Sequence, residues 1–407
     1  MEPETPTLIG PFSQILTMEN LPQKGPIFDS QLKVISNGAI AVNNGLITDI
    51  GEYDRLKCKF SKQHFIDKPA VALPGFIDSH THLVFAGSRA SDYALRVSGR
   101  SYLEIAKNGG GILDTVSKTR AATKDELIAL TLQRCQRLIK LGISTCEVKS
   151  GYGLSVVEEI KILEVVAAVN RLQPVTLIPT CLAAHTRPLE FKNNSLYLSY
   201  IAEELLPILI KKKLCRRIDI FVDETAFNVT EARDYLLKAR SLGFELCLHA
   251  DQFRRGGAQL AAELKAVSAD HLENSTVEDF KALAEANVVA IALPGAALGL
   301  GIPQPHARQM LDNGLSLAIA SDWNPGSAPM GNLLVQAAIL SAAEHLTIAE
   351  TLAAITFRAA NALQLTDRGC LAIGRRADIA IFPTNDYRDI LYYQGSLLPS
   401  ELYIYCP

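Results

Sequence analysis

Two histidines one residue apart, His80 and His82, close a short apolar run in the stretch Pro74-Gly75-Phe76-Ile77-Asp78-Ser79-His80-Thr81-His82. Residues i and i+2 of an extended strand point to the same face, so we expect both imidazoles at one point at the C-terminal end of a strand. Neutral imidazoles at such a point can hold a transition metal. The alternative is that one or both are core histidines with hydrogen-bond partners, and the rest of the chain decides between the two.

The composition is that of a globular protein that can bury a large core. The chain has 407 residues, of which 48% are hydrophobic, and a net charge of -3. This length suits two or three domains, or one α/β barrel that uses most of it. The one dense basic patch, residues 211–213 with Arg216 and Arg217, is expected to be a solvated helix end. Charges of both signs are otherwise interspersed, so nothing indicates a nucleic-acid partner.

The eight cysteines show no C-x-x-C pair, and several lie inside apolar runs, where a free cysteine behaves as a small buried hydrophobe. The first residues are acidic and lack the basic-then-apolar pattern that is typical of a signal sequence. The most apolar stretch, 288–303, is interrupted by Pro294 and several glycines and is too short to span a bilayer. We therefore expect a cytoplasmic enzyme with reduced cysteines and no membrane partner.

The central part of the chain alternates apolar, strand-length runs with amphipathic helical patterns. Runs that are apolar throughout suit parallel strands buried on both faces, and eight such units indicate a (β/α)8 barrel of the TIM type. Thr123, Ser155 and Thr347 each start a capping-box pattern ahead of a helix. The predicted strands are 71–79, 143–149, 176–183, 218–223, 245–249, 266–270, 288–293 and 316–321.

Both ends of the chain are rich in short strands. Residues 32–35, 39–42 and 46–50 are separated by the turn signals Asn37-Gly38 and Asn43-Asn44-Gly45, which predict a small antiparallel sheet. Residues 369–374, 377–382 and 401–405 have the same character. We therefore predict a composite β-sandwich domain built from residues 1–70 and 365–407, with the barrel at 71–364.

Polar residues concentrate where the predicted strands end, which is where the chemistry of such a barrel lies. Five of the eight histidines fall there, and a random scatter would not produce this. His80, His82 and His249 supply nitrogen and Asp322 supplies oxygen, a ligand set that suits Zn²⁺ or a similar ion with one position left for water. Asp322 alone would pass for a helix N-cap; beside the histidines it is also placed to accept the proton of that water and return it to a leaving nitrogen.

His271, at the end of the sixth predicted strand, has two interpretations. It donates a hydrogen bond to a substrate carbonyl as negative charge develops there, or it supports a metal ligand from behind. We favour the first.

These residues resemble the amidohydrolase superfamily, and the resemblance covers nearly the whole chain. Within it the chain is similar to the enzymes that hydrolyse the ring amide of 4-imidazolone-5-propanoate to N-formimino-L-glutamate in histidine degradation. The segments that carry this resemblance are His80-Thr81-His82-Leu83-Val84-Phe85-Ala86-Gly87-Ser88-Arg89, Gly109-Gly110-Gly111-Ile112-Leu113-Asp114-Thr115-Val116, Glu147-Val148-Lys149-Ser150-Gly151-Tyr152-Gly153-Leu154, Ala266-Val267-Ser268-Ala269-Asp270-His271-Leu272 and Asp322-Trp323-Asn324-Pro325-Gly326-Ser327.

The resemblance implies a set of substrate-binding residues. Arg89 matches the position that binds the substrate's carboxylate tail, for which its planar fork is suited, although alone it would pass for a surface ion pair. Tyr152 and His185 would hold the ring and the tail, and the turn of Asn324, Gly326 and Ser327 would bind polar substrate atoms. The resemblance further implies one Zn²⁺ or Fe²⁺/Fe³⁺ ion per subunit, a small-molecule substrate and a homodimer.

Three positions depart from the family pattern. Gln252 stands where related deaminases have a glutamate that shuttles protons, so we expect it only to orient the ring. The fourth strand has no lysine for a two-metal site, although Glu224 would be placed to bridge a second ion. Trp323 is bulkier than the expected phenylalanine and is predicted to pack under the turn. The alternative functions are a heterocycle deaminase on the same fold and a catalytically inactive barrel used as a binding module.

Overall fold

The computed structural model describes residues 5–100, 110–223 and 226–405. The strands of these ranges, numbered in chain order, are β1 Thr7–Leu16, β2 Val34–Asn43, β3 Leu46–Glu52, β4 Lys62–Phe65, β5 Val71–Pro74, β6 Phe76–Asp78, β7 Ile143–Lys149, β8 Thr176–Ala184, β9 Arg217–Val222, β10 Glu245–Ala250, β11 Ser268–His271, β12 Val289–Ala292, β13 Ser316–Ile319, β14 Ile379–Phe382 and β15 Glu401–Tyr403.

The α-helices of the same ranges lie mostly between the strands of the central region. They are α1 Tyr53–Leu56, α2 Ala90–Val97, α3 Ile112–Ala121, α4 Lys124–Lys140, α5 Val156–Val169, α6 Asn194–Tyr200, α7 Leu206–Lys212, α8 Val229–Ser241, α9 Gly257–Glu263, α10 Val277–Glu285, α11 Pro294–Leu300, α12 Ala307–Asp312, α13 Leu333–Glu344, α14 Ile348–Ala354, α15 Phe357–Ala362 and α16 Asp389–Tyr392. Within the described ranges, none of the helices is long and apolar enough to cross a membrane.

Strands β6 to β13 form one eight-stranded sheet in which each strand lies beside the next in the chain. Every pair is parallel. Beyond the ends of β6 and β13, the N–H of Asp322 donates to the carbonyl of His80 (3.0 Å) and the N–H of His82 to that of Trp323 (2.9 Å). These bonds link the two outer strands, so the (β/α)8 barrel predicted from the sequence is confirmed.

A second sheet combines both ends of the chain, as predicted. It contains β1 to β5 with β14 and β15. It is mixed rather than antiparallel, because β1 is antiparallel to β2 but parallel to β4 and β5. After the β2–β3 hairpin, β4 and β5 lie beside β1 and run in the same direction as β1, which produces the parallel pairs. The domain limits of 1–70, 71–364 and 365–407 stay predictions.

The predicted strand 71–79 is two strands, and this corrects the sequence interpretation. β5 pairs with β1 and β14 in the terminal sheet, whereas β6 pairs with β7 in the barrel. Gly75 separates them, and its N–H donates to the carbonyl of Asp378 (2.8 Å). A Cβ at Gly75 would lie 2.6 Å from Oγ of Ser144, so the chain passes between the sheets where only glycine fits.

Three further details differ from the sequence prediction. Asn37-Gly38 lies within the continuous strand β2, where Asn37 has a φ of 45° and the register with β1 shifts nearby. Residues 369–374 form turns rather than a strand, because Gly369 and Gly374 have φ values of 84° and 83°. Arg217 is not part of a solvated helix end: it opens β9 and its side chain is buried.

The predicted helix starts are present, with one difference. Thr123 and Thr347 form reciprocal capping boxes with Glu126 and Glu350. Ser155 caps α5 through its side chain only. The carboxylate of Glu158, which would complete a capping box, instead pairs with Lys161 (2.5 Å).

Candidate metal centre and substrate cavity

His80, His82 and His249 come together at the C-terminal end of the barrel, and a ring nitrogen from each lies within 4.8 Å of the others. Oδ1 of Asp322 lies 3.4 Å from Nε2 of His80 and 3.4 Å from Nε2 of His82. All four side chains are at least 95% buried. The spatial meeting that the sequence predicted is therefore present.

The charge states of the carboxylate and two of the imidazoles suit metal binding. Burial lowers the pKa of His249 to about 3 and also lowers that of His82, so both rings are neutral at pH 7. Burial raises the pKa of Asp322, but His80 and His82 outweigh it and hold it well below its usual range. A carboxylate beside neutral imidazoles is the form that a divalent ion requires.

The pKa of His80 is raised, unlike the pKa values of His82 and His249. Burial and Lys149 lower its pKa, yet Asp270 and Asp322 outweigh them and raise it to about 9. Without an ion this ring stays protonated between the two carboxylates. A cation that replaces this proton has the same two anionic neighbours to stabilise it.

The hydrogen bonding of His80 also indicates that these side chains can hold a divalent ion. Nε2 of His80 is buried and has no hydrogen-bond partner among the described residues. Its other nitrogen, Nδ1, lies 2.7 Å from Oδ2 of Asp270, so Nδ1 carries the proton in the neutral ring and Nε2 offers a lone pair. A core histidine normally has hydrogen-bond partners at both ring nitrogens. Nε2 of His80 faces the Asp322 carboxylate and has no hydrogen-bond donor opposite it, which is the arrangement expected of a metal ligand.

Two carboxylates that support the imidazoles were not identified from the sequence. Asp270 contacts His80 as described, and Oδ2 of Asp219 lies 3.0 Å from Nδ1 of His249. The signal was available for Asp219, because a single acidic residue between Ile218 and Ile220 of a buried strand requires a partner.

A cavity of about 550 Å³ opens above the metal ligands. Eleven of the twelve predicted site residues line it, and His80 lies beneath them, fully buried. The cavity wall also includes Arg96, Phe221 and Phe253, which the sequence prediction did not include. The predicted residues that line the cavity are His82, Arg89, Tyr152, His185, His249, Gln252, His271, Asp322, Asn324, Gly326 and Ser327.

Arg89 is held in place before any ligand arrives. Its Nε donates to Oδ2 of Asp92 (2.8 Å), and the same oxygen accepts the N–H of Gly111 (2.8 Å). A methyl group on Gly326 would collide with Nη1 of Arg89, so glycine leaves the room that the guanidinium occupies. The terminal nitrogens at the cavity are suited to a carboxylate.

The turn after Asp322 is stabilised by its own polar residues. Oδ1 of Asn324 accepts the N–H groups of Gly326 (2.7 Å) and Ser327 (2.9 Å), and its Nδ2 donates to the carbonyl of Asp322 (2.6 Å). Oγ of Ser327 lies 3.3 Å from Oδ2 of Asp322. Trp323 packs beneath this turn against Gly331 and lies under the guanidinium of Arg137, as its bulk predicted. Substrate binding by Asn324, Gly326 and Ser327 stays a prediction.

His185 and Tyr152 form the wall next to His82. The ring of His185 is stacked on that of His82 with centroids 5.4 Å apart, and its Nδ1 lies 3.2 Å from the carbonyl of Gly151. Burial lowers the pKa of His185 well below its usual range, and burial raises that of Tyr152. Neutral His185 therefore presents Nε2 as an acceptor, and the Tyr152 hydroxyl keeps its proton as a donor.

His271 approaches the cavity from β11 with a φ of 82°, a conformation that is uncommon for a non-glycine residue. Its Nδ1 lies 3.4 Å from Oε1 of Glu273, and its ring centroid lies 5.4 Å from that of His249. Gln252 lines the same cavity. Glu224, the candidate for a second ion, lies outside the described residues.

A parallel barrel that gathers three histidines and an aspartate at the ends of its strands defines a hydrolase of the amidohydrolase class. Consistent with this, residues 102–391 match the model of the Amidohydrolase family. The fold is similar to that of an adenosine deaminase from Xanthomonas campestris with bound zinc, with a TM-score of 0.71 and 18% identity over 98% of this chain and 91% of that one. It is also similar to an ochratoxinase from A. niger, with a TM-score of 0.71 and 13% identity over 98% and 94%.

Curated relatives are much more similar in sequence. An imidazolonepropionase of Clostridium tetani is 37% identical over 94% of this chain and 93% of the relative. An imidazolonepropionase of Myxococcus xanthus is 44% identical over 79% and 77%. The chain belongs to the imidazolonepropionase family of amidohydrolases.

Proposed function

We propose that the protein hydrolyses the ring amide of 4-imidazolone-5-propanoate to N-formimino-L-glutamate, with one divalent metal ion held by His80, His82, His249 and Asp322. The observation that carries the proposal is the meeting of these four residues at the base of a cavity that also contains Arg89. Relatives that carry the name imidazolonepropionase support the reaction.

The metal ligands also prepare the attack on the ring. A divalent ion bound there would lower the pKa of a coordinated water from 15.7 towards about 7, so that a nucleophile is available at neutral pH. Asp322 is ionised and faces the same point, so its carboxylate accepts the proton that the water loses.

His271 acts on the other side of the amide. Its side chain lines the cavity beside His249, and Glu273 contacts its Nδ1, which leaves Nε2 to face the substrate. The Glu273 carboxylate can only accept, so a proton stays on Nδ1. The proposed role therefore requires an imidazolium, whose Nε2–H donates a hydrogen bond to the carbonyl oxygen as negative charge develops. The bond between the carbonyl carbon and the ring nitrogen then breaks, and Asp322 returns its proton to that nitrogen. Water has been added across the C–N bond, which leaves a carboxylate and a formimino group.

The remaining residues bind the substrate. Arg89, held by Asp92, pairs with the propionate. Tyr152 donates a hydrogen bond and neutral His185 accepts one, and these are complementary to the polar atoms of the ring and tail. Gln252 has no titratable group, so it orients the ring and takes no part in proton transfer.

Gln252 also distinguishes this proposal from its alternatives. A deaminase of the same class would need a titratable group where Gln252 lines the cavity, and the cationic Arg89 would have no partner on an uncharged heterocycle. A barrel retained only for binding would have no need of the four buried ligand side chains that meet here.

The ion, the compartment and the assembly are part of the proposal. Nitrogen and oxygen ligands of this kind accept Zn²⁺ or iron, and we expect one ion per subunit. All seven cysteines in the described residues are free, which is the state expected in a reducing cytoplasm. The resemblance to the family suggests a homodimer.

The direct test is incubation of the purified, metal-loaded protein with imidazolonepropionate while the ultraviolet absorbance of the substrate is followed. The proposal predicts loss of that absorbance and formation of N-formimino-L-glutamate. A parallel incubation with purine and pyrimidine substrates, with ammonia as the readout, tests the deaminase alternative. Absence of turnover of imidazolonepropionate at full metal occupancy would refute the proposal.

A further inference from the structure

A buried lysine lies directly beneath the metal ligands. Lys149 ends β7, and its side chain is completely inaccessible to solvent. Its ammonium nitrogen lies 2.8 Å from Oδ2 of Asp219, 2.9 Å from Oε2 of Glu147 and 3.1 Å from Oδ2 of Asp270. The contact with Asp219 is a hydrogen bond, and those with Glu147 and Asp270 are ion pairs.

Two of these carboxylates are the ones that contact the metal-binding imidazoles. The oxygen of Asp270 that faces Lys149 is also the one 2.7 Å from Nδ1 of His80. The oxygen of Asp219 that faces Lys149 is likewise the one 3.0 Å from Nδ1 of His249. One ammonium therefore connects the supporting groups of two ligands, which lie on different strands of the barrel.

The three carboxylates would repel one another without a cation between them. Glu147, Asp219 and Asp270 are all fully buried, where the energy of like charges is high and water does not screen them. One of them would then turn away from the others. If that were Asp219 or Asp270, the imidazole that it contacts would lose the acceptor at Nδ1 that directs Nε2 towards an ion.

Arg217 is a second buried cation of this cluster. Its Nε lies 3.3 Å from Oε1 of Glu147, and its Nη1 lies 3.7 Å from Oε2 of Glu245. Arg217 therefore contacts one of the three carboxylates around Lys149, and that one is not in contact with a metal-binding imidazole.

We propose that Lys149 is a positioning residue of the metal centre, whose ammonium fixes Asp219 and Asp270 against His249 and His80 and so sets the direction of their metal-binding nitrogens. The inference rests on the metal site of the proposed function. Burial lowers the pKa of Lys149, but Asp219, Glu147 and Asp270 outweigh it and hold it well above its usual range, so the side chain stays charged.

The test compares zinc affinity in variants of the full chain, measured by competition with a chromophoric chelator. Lys149→Met removes the bridge, and Arg217→Met is the matched control, since it removes an equally buried cation that contacts Glu147 but neither aspartate. Lys149→Met should weaken zinc binding by about 10-fold or more, which is the usual effect of disturbing the groups behind a metal ligand. Arg217→Met should reduce thermal stability while keeping zinc affinity within about threefold of wild type.

Since Lys149→Met leaves buried negative charge, a second variant guards against simple misfolding. Lys149→Met combined with Glu147→Gln removes one cation and one anion together, and Glu147→Gln alone is its reference. We expect the double variant to fold, to bind zinc about 10-fold more weakly than Glu147→Gln, and to show an altered visible spectrum with Co²⁺.

Three results would overturn the inference. The first is a double variant whose zinc affinity and Co²⁺ spectrum equal those of Glu147→Gln. The second is a Lys149→Met variant that binds zinc as tightly as wild type. The third is an Arg217→Met variant that loses as much zinc affinity as Lys149→Met does. A wild-type protein that binds no zinc or iron would contradict the proposed function itself, and the inference with it. Tight binding by the wild type together with an unaffected double variant would contradict the inference alone.

Discussion

Nε2 of His80 lies 3.4 Å from Oδ1 of Asp322, although these residues follow the first and last strands of the barrel. The backbones of the same two residues are bonded, with the N–H of Asp322 donating to the carbonyl of His80 (3.0 Å). Oγ of Ser321 also donates to Oδ2 of Asp78 (2.5 Å) across this junction. The contacts that close the barrel therefore also set the distance between two metal ligands.

Replacement of Asp322 by asparagine should reduce kcat by about 100-fold or more, because the amide cannot carry the proton from water to the leaving nitrogen. The backbone bond to His80 is unaffected, so the fold should be retained. Steady-state kinetics and circular dichroism check this, with Asp54→Asn, an exposed aspartate near the terminal sheet, as the control. A wild-type kcat in the Asp322 variant would remove this residue from proton transfer.

Replacement of Arg89 by methionine should raise KM by about 10-fold or more with a smaller change in kcat, since a hydrogen bond to a charged group contributes about 1.5–3 kcal/mol. Arg96→Met is the matched control, because Arg96 lines the same cavity without the support of Asp92. Gly326→Ala should resemble the Arg89 variant, as its methyl group displaces the guanidinium. A larger KM effect at Arg96 than at Arg89 would reassign the carboxylate site.

Replacement of His271 by alanine should lower kcat by about 100- to 1,000-fold, the usual loss when a donor to a developing oxyanion is removed. KM and the zinc affinity should change little, because His271 is not one of the ligands. Glu273→Gln tests the contact behind it and should have a smaller effect on kcat. Loss of the metal from the His271 variant would instead support the alternative in which this residue supports a ligand.

Glu350 should make a pH-dependent contribution to stability. It accepts the N–H of Ile27 (3.1 Å) and both terminal nitrogens of Arg308 (3.0 and 3.1 Å), which attaches the segment after β1 to the barrel. Burial raises its pKa, but Arg308 and the N–H donors hold it below the usual 4.5. Because the folded pKa is below the unfolded one, this contribution is complete above pH 4.5 and is lost as the pH falls through the folded value.

Glu350→Gln should therefore reduce the free energy of unfolding by about 1–2 kcal/mol at pH 7, and the difference from wild type should shrink below about pH 4. Thermal unfolding across this range measures it. Glu263→Gln, which removes an exposed partner of Arg233, should have little effect at any pH. A difference that grows on acidification would contradict the assignment.

The barrel and the four ligands could be predicted because their signals are local. Buried parallel strands are apolar throughout, and polar residues at their ends are conspicuous against that background. The separation of β5 from β6 at Gly75 could not be predicted, since the apolar pattern continues across the glycine and only the pairing partners differ.

The network around Lys149 was missed for a different reason. Lys149, Asp219 and Asp270 lie on three strands that are distant in the chain. Lys149 and Asp270 each resemble a solvated residue at a strand end, and Asp219, within its strand, indicates a partner without saying which one. Their mutual neutralisation depends on barrel closure, which places them in one layer beneath the ligands. Arg217 was assigned to the surface for the same reason, because its partner Glu147 is distant in the sequence.

The central claim is most directly tested by anomalous diffraction at the metal's absorption edge, with the metal content of the same preparation measured. The account predicts one ion per chain, about 2.0–2.2 Å from a ring nitrogen of His80, His82 and His249 and from the carboxylate of Asp322. An anomalous peak elsewhere, or one of these four side chains beyond coordinating distance of the ion, would contradict it.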